Sequence, residues 1–114
     1  MNSLRNKVQL IGNLGQDPEM KTLPNGTIVT KMNIATSDVW KDARGEKQTD
    51  TQWHRVTAFG KTAEIAGLYL KKGSKVMISG RIKYDEYMDK EGQKRYATDI
   101  VVNELEFLDA KKVA

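Results

Sequence analysis

One predicted β-strand near the middle of the chain carries aromatic and cationic side chains on a single face. Across Gln52–Gly60 the odd positions are Trp53, Arg55, Thr57 and Phe59. The even positions include the small residues Val56 and Ala58, which suit the interior of a barrel. Because successive side chains of a strand point to opposite faces, we expect Trp53, Arg55 and Phe59 to point outward. Exposed aromatic rings stack on bases, and cations neutralise phosphates. The pattern therefore indicates a surface that binds single-stranded nucleic acid.

Residues elsewhere in the chain extend this candidate surface. The fourth predicted strand, Ser74–Tyr87, carries on its odd face Lys75, Met77, Arg81, Lys83 and Tyr87. We predict base stacking by the four aromatic residues Trp40, Trp53, Phe59 and Tyr87, with Trp40 at the mouth of a loop. The cations expected to contact phosphates are Lys7, Arg55, Lys61, Lys72, Arg81 and Lys83. The alternative for each aromatic residue is packing under a loop or in a subunit interface.

The sequence argues against a catalytic or metal site. It contains no cysteine, which excludes disulfides, thiolate metal sites and cysteine nucleophiles. The single histidine, His54, has no visible nucleophile or ligand partner. The acidic residues near Asp85 sit in a hairpin region beside several lysines and are typical of solvated charge. Gly12–Gly15 lacks the Gly-Lys-Ser/Thr end of a phosphate-binding loop. We expect no enzymatic activity, no metal and no cofactor.

Length and composition bound the fold and the location. A chain of 114 residues corresponds to one domain, and nineteen Lys and Arg against fifteen Asp and Glu give a net charge of +4. This modest excess suits a polyanionic partner without proving one. No apolar run is long enough to cross a membrane, and residues 1–10 lack a signal-peptide core. We therefore expect an intracellular protein without a membrane partner.

The order of predicted elements indicates an all-β barrel. Strands are predicted at 7–13, 27–36, 52–60, 74–87 and 94–108, with one helix at Thr62–Leu70. Lys41–Thr51 is polar and is predicted as a long solvated hairpin loop. A bulge or a bend near Asn103 and Glu104 would reconcile the two parities of the last strand. Five strands with a helix between the third and fourth match the OB-fold, a Greek-key barrel.

Short motifs along almost the whole chain resemble the bacterial single-stranded DNA-binding protein family. In chain order they are Asn6-Lys7-Val8, Gly12-Asn13-Leu14-Gly15-Gln16-Asp17-Pro18-Glu19, Pro24-Asn25-Gly26, Ile34-Ala35-Thr36-Ser37, Trp53-His54-Arg55-Val56, Phe59-Gly60-Lys61, Tyr69-Leu70-Lys71-Lys72-Gly73 and Gly92-Gln93-Lys94-Arg95-Tyr96. Each motif alone is weak, but together and in this order they are specific.

The resemblance implies a homotetramer of OB-folds that binds and protects single-stranded DNA in replication, recombination and repair, without catalysis and largely without sequence preference. It implies stacking by Trp40, Trp53 and Phe59, with Tyr87 at a position where the family usually has tryptophan. It places His54 at a subunit interface. The expected location is the bacterial cytoplasm, on the nucleoid. The alternative is an OB-fold protein-interaction subunit of a replication or primosome assembly, whose aromatic face docks a protein.

Two departures from the family pattern bear on these expectations. Asp85 and Glu86 stand where the family is often basic, which should weaken backbone contact beside Tyr87. We expect the DNA-binding domain to span residues 1–110, followed by a short end, 111–114, without the acidic tail of typical members. Partner proteins that read such a tail are accordingly not expected for this chain.

Overall fold

The computed structural model describes residues 4–108, which form six strands and one helix. In chain order these are β1 (Val8–Leu14), β2 (Glu19–Thr22), β3 (Ile28–Lys41), β4 (Lys47–Phe59), α1 (Gly60–Tyr69), β5 (Lys75–Met88) and β6 (Lys94–Phe107). The described part includes no helix long and apolar enough to cross a membrane. The end predicted at 111–114 lies outside the described residues.

Five of the strands close into a barrel. The sheet order is β1-β5-β6-β4-β3, and β1 returns to pair with β3 through Asn13↔Ala35 and Leu14↔Ile34. The contact between β4 and β6 is parallel and short, with Val56↔Ile100 and Thr57↔Val101. The predicted OB-fold is confirmed, with its helix between β4 and β5. The additional strand, β2, pairs only with β3, across the turn at Pro24-Asn25-Gly26.

The inward faces of the barrel strands supply the core. Ile34, Val56, Val76 and Ile78 are fully buried, and Ala63 and Ala66 pack the helix against them. β1 pairs with both β5 and β3, and Gly12 lies next to the residue, Asn13, where the two pairings overlap. A Cβ at Gly12 would collide with the carbonyl oxygen of Ala35. A glycine therefore permits the close approach that closes the barrel.

Three details of the sequence-based prediction change or are confirmed. The predicted loop at Lys41–Thr51 is wrong: β3 and β4 continue as a paired ribbon up to Lys41↔Lys47, and only Asp42–Glu46 forms the turn. The helix begins and ends earlier than predicted, at Gly60–Tyr69. The predicted bulge is confirmed, because Val102 pairs with Gly80 and Glu104 with Ser79, which leaves Asn103 as the extra residue.

Candidate nucleic-acid interface

The outward face of β4 presents two exposed aromatic rings with a cation between them. Trp53 is 63% exposed and Phe59 is 46% exposed. Arg55 is exposed as well and pairs across the sheet with Asn33. The inward residues Val56 and Ala58 are fully buried, so alternation along the strand fixes which side chains face solvent. The six residue-to-residue steps from Trp53 to Phe59 span about 20 Å.

Trp53 leans on the end of β1. A Cβ at Gly15 would collide with the six-membered part of the Trp53 ring, so the absence of a side chain at position 15 gives the ring its place. Gly15 and Trp53 line a cavity of about 300 Å³ together with Gln16 and Asn33. The six-membered ring thus packs closely against the backbone at Gly15, while most of the side chain stays exposed.

A larger polar cavity continues from there. Its volume is about 460 Å³, and it shares Gln16 and Asn33 with the cavity beside Trp53. Its other lining residues are Asp17, Glu19, Lys31, Met32 and Arg55. The two cavities together form a groove. It presents the side-chain amides of Gln16 and Asn33 beside the Trp53 ring, and Lys31 and Arg55 supply two cations at its wall. Phosphates and base edges are the ligands that such groups bind.

The β1–β2 loop also positions a basic turn. The Asp17 carboxylate accepts a hydrogen bond of 2.8 Å from the backbone N–H of Lys72. The Asn13 side chain donates to the Gly73 carbonyl over 3.1 Å. The turn that carries Lys72 is therefore fastened to the segment that lines the polar cavity. Lys61 is exposed in the first turn of α1, two residues after Phe59.

Tyr87 lies on a β-hairpin that extends from the barrel, which we call the arm (residues 83–98). It is 53% exposed and pairs with Arg95. Strand alternation places Lys83 and Asp85 on the same face of the arm as Tyr87. Glu86 is on the other face, where it forms a 3.1 Å ion pair with Lys94. Of the two acidic departures from the family pattern, only Asp85 therefore shares the face of Tyr87.

The tip of the arm is held by a network around Asp89. Its carboxylate accepts hydrogen bonds from Arg95 Nε at 2.8 Å and from the backbone N–H groups of Glu91 and Gln93, both at 2.9 Å. The hydrogen bond from Arg95 contributes most to lowering the pKa of Asp89 below its ordinary value. Arg95 is therefore engaged within the arm at neutral pH.

Two predicted site residues lie apart from the β4 face. Trp40 is 49% exposed and pairs with Gln48, whereas Trp53 pairs with Ala35. In this unbroken register an even and an odd position of β3 lie on opposite faces of the ribbon, so Trp40 and Trp53 do too. Lys7 lines a separate cavity of about 190 Å³ on the outer side of β1, β5 and β6.

Arg81 is exposed on β5, two residues before Lys83 and on the same face.

Thr57 lies on the same parity of β4 as Trp53, Arg55 and Phe59, but it is not exposed as they are. It is only 4% exposed. Its hydroxyl donates a 2.7 Å hydrogen bond to Asp99 Oδ2 at the base of the arm. Thr57 has the outward parity, but the arm begins directly beside it and covers it.

His54, the predicted interface residue, is half-buried on the inward parity of β4, opposite Ile34. Its Nε2 lies 2.9 Å from the Thr36 hydroxyl. It stands at the point where the closed barrel gives way to the β3–β4 ribbon. This placement keeps it off the face of Trp53 and leaves it partly exposed.

Sequence reasoning missed three side chains of the groove, namely Gln16, Lys31 and Asn33. Lys31 and Asn33 occupy outward positions of β3, and Asn33 pairs directly with Arg55. The alternation of the second predicted strand contained this signal. Within residues 4–108, no group of three or more acidic or histidine side chains is arranged to hold a metal ion.

Comparison with known proteins gives consistent results in sequence and in structure. The chain is 47% identical over 106 residues to a single-stranded DNA-binding protein of Xanthomonas campestris, an alignment that covers 93% of this chain and 62% of that relative. The chain thus spans less than two thirds of that relative's length. A solved structure, the Plasmodium falciparum SSB complex with ssDNA, superposes with a TM-score of 0.83 at 30% identity, covering 91% of this chain and 95% of that one. The Single-strand binding protein family matches residues 5–108, and the chain belongs to that family.

Proposed function

We propose that this protein binds single-stranded DNA through the β4 face, largely without sequence preference. The observation that carries the proposal is the pair of exposed rings, Trp53 and Phe59, with Arg55 between them. Water does not favour large exposed aromatic rings, and stacked bases cover them at about 1–3 kcal/mol per base. The similarity to a structure solved with single-stranded DNA supports the same ligand.

The groove beside Trp53 supports a path for the sugar–phosphate backbone. Arg55 and Lys31 contribute positive charge to its wall, and Lys72 is fastened to its Asp17 side. On the arm, Lys83 lies on the same face as Tyr87. Neutralising phosphates with these cations releases counterions, which adds affinity for any sequence. Every base has a ring face to stack, so the combination favours binding without base selection.

We further propose that the protein works as a homotetramer. The outer side of β1, β5 and β6 combines Lys7 with Glu104 and Glu106 around Met77. A surface with both charges and an apolar centre can pair with its own copy across a two-fold axis. His54 lies on another part of the barrel, half-buried, and is the candidate for a second contact.

The proposed role is protection of single-stranded DNA during replication, recombination and repair, on the bacterial nucleoid. It is a binding role, in which stacking and charge neutralisation supply the energy and no side chain carries a chemical step. The kinship with a bacterial single-stranded DNA-binding protein supports this assignment.

Fluorescence anisotropy of labelled oligo-dT tests the proposal. The protein should bind oligo-dT tightly and saturably, and should bind a duplex of equal length much more weakly, because paired bases cannot stack on Trp53. Oligonucleotides of mixed sequence should bind within about tenfold of oligo-dT. Equal affinity for duplex and single strand would contradict the proposal, and no binding to either would favour a protein ligand for the aromatic face.

A further inference from the structure

The arm leaves the barrel just beyond its last contact with β4. The parallel contact between β4 and β6 ends at Val56↔Ile100, and residues 83–98 continue only as a two-stranded hairpin. Both faces of the hairpin are open, since Tyr84 and Tyr96 are exposed on one face and Tyr87 on the other. The angle between the arm and β4 must therefore be set at the base of the arm.

On the β5 side, Asn6 is hydrogen-bonded to the strand where the arm begins. Its side-chain Nδ2 donates to the Ile82 carbonyl, and its Oδ1 accepts from the Ile82 N–H, both at 2.9 Å. This pair of hydrogen bonds imitates a rung of the antiparallel ladder, which ends in backbone form at Val8↔Gly80. The Asn6 side chain thus continues the hydrogen bonding between the β1 segment and β5 up to the position where the arm begins.

On the β6 side, Asp99 connects the start of the arm to β4. Its Oδ2 accepts the 2.7 Å hydrogen bond from Thr57, which is buried between Arg55 and Phe59 along β4. Its other oxygen, Oδ1, is buried without a hydrogen-bond partner. Leaving a carboxylate oxygen unsatisfied is costly, so burial of Asp99 for stability alone is a poor explanation. The contact joins the aromatic face of β4 directly to the arm.

We propose that Asn6, Thr57 and Asp99 form a clamp that fixes the arm at one angle to β4, so that Tyr87 and Lys83 act on the same DNA strand as Trp53. These three are positioning residues, since none of them needs to touch DNA. The inference rests on the proposed function, because it concerns how two parts of that site are held together. Without the clamp, DNA must order the arm on binding, which lowers the affinity gained there.

A double-mutant cycle on oligo-dT affinity tests the clamp. In the parent, Tyr87→Ala should weaken binding at least about fivefold, the lower end expected for one stacked base. In a background carrying Asn6→Ala and Thr57→Val, the same change should cost less than about twofold. Trp53→Ala should cost the same factor in both backgrounds, because Trp53 is held by Gly15 and not by the clamp. Thr57→Ser keeps the hydroxyl and should behave as the parent.

Hydrogen exchange provides a readout that does not depend on DNA. Amides of the arm should exchange faster in the clamp variants, while those of β3 in the barrel keep their protection. If Thr57→Val fails to fold, Asn6→Ala alone, at an exposed position, carries both measurements.

The inference is overturned if Tyr87→Ala costs the parent nothing, if it costs the same factor with and without the clamp, or if arm exchange is unchanged. Failure of the proposed function would give a different result, because the parent protein itself would then not bind oligo-dT.

Discussion

Replacing Trp53 by alanine removes the aromatic ring that lines one part of the candidate groove. The side chain is 63% exposed, so about a third of it is covered, mainly by Gly15 and its neighbours. A tryptophan buries at most about 250 Å², so this third contributes about 2 kcal/mol to folding as an upper limit. Because single domains are stable by about 5–15 kcal/mol, we expect Trp53→Ala to fold.

Trp53→Ala should remove a larger fraction of the free energy of DNA binding than of the free energy of folding. One stacked base contributes about 1–3 kcal/mol, so Trp53→Ala should weaken binding of a short oligo-dT by about 5- to 150-fold. Trp53→Phe keeps a ring and should lose less. The assay is fluorescence anisotropy at fixed salt, with the fold checked by circular dichroism and thermal unfolding.

Tyr96→Ala is the matched control for this experiment. Tyr96 is as exposed as Trp53 but lies on the face of the arm opposite Tyr87. Its replacement should leave the affinity unchanged. If Trp53→Ala binds as tightly as the parent, or if both variants lose affinity equally, the β4 face is not the site of stacking.

Three further predictions concern charge and assembly. Affinity should fall steeply with salt, with a log–log slope of about −0.7 per phosphate neutralised, and a flat salt titration would argue against the cationic groove. Asp85→Asn should tighten binding about twofold, as expected for removing one exposed and partly screened repulsion of a phosphate. Glu86→Gln should not, because Glu86 faces away and is paired with Lys94; equal effects in parallel titrations would show that the arm does not present one face to DNA. His54→Glu should shift a tetramer toward dimers or monomers in light scattering, because a charge buried in an interface lacks a partner, and a parent that is monomeric at micromolar concentration would refute the assembly.

Strand alternation accounts for what the sequence predicted well. Small residues at Val56 and Ala58 against large ones at Trp53 and Phe59 leave one arrangement of β4 in which the core fills without voids. The same reasoning found the bulge at Asn103, because the two parities of β6 cannot otherwise both reach the core. The OB-fold followed from the order of these elements.

The sequence was less informative where no core constrains a strand. The β3–β4 ribbon has polar residues on both faces, such as Asp38 opposite Asp50, so its strands resemble a loop in sequence. All four residues of β2 are exposed, which removes the alternation that marks a strand. The burial of Thr57 is not visible in the strand pattern, because it depends on Asp99, which is about forty residues away in the chain.

The central claim is that bases stack on Trp53, and its own fluorescence tests this most directly. Trp40→Phe leaves Trp53 as the only tryptophan of the chain. Titration of this variant with oligo-dT, with anisotropy of a labelled strand followed in parallel, should quench the Trp53 emission in step with binding. Saturated binding with unchanged Trp53 emission would contradict the account, because the DNA would then lie elsewhere on the protein.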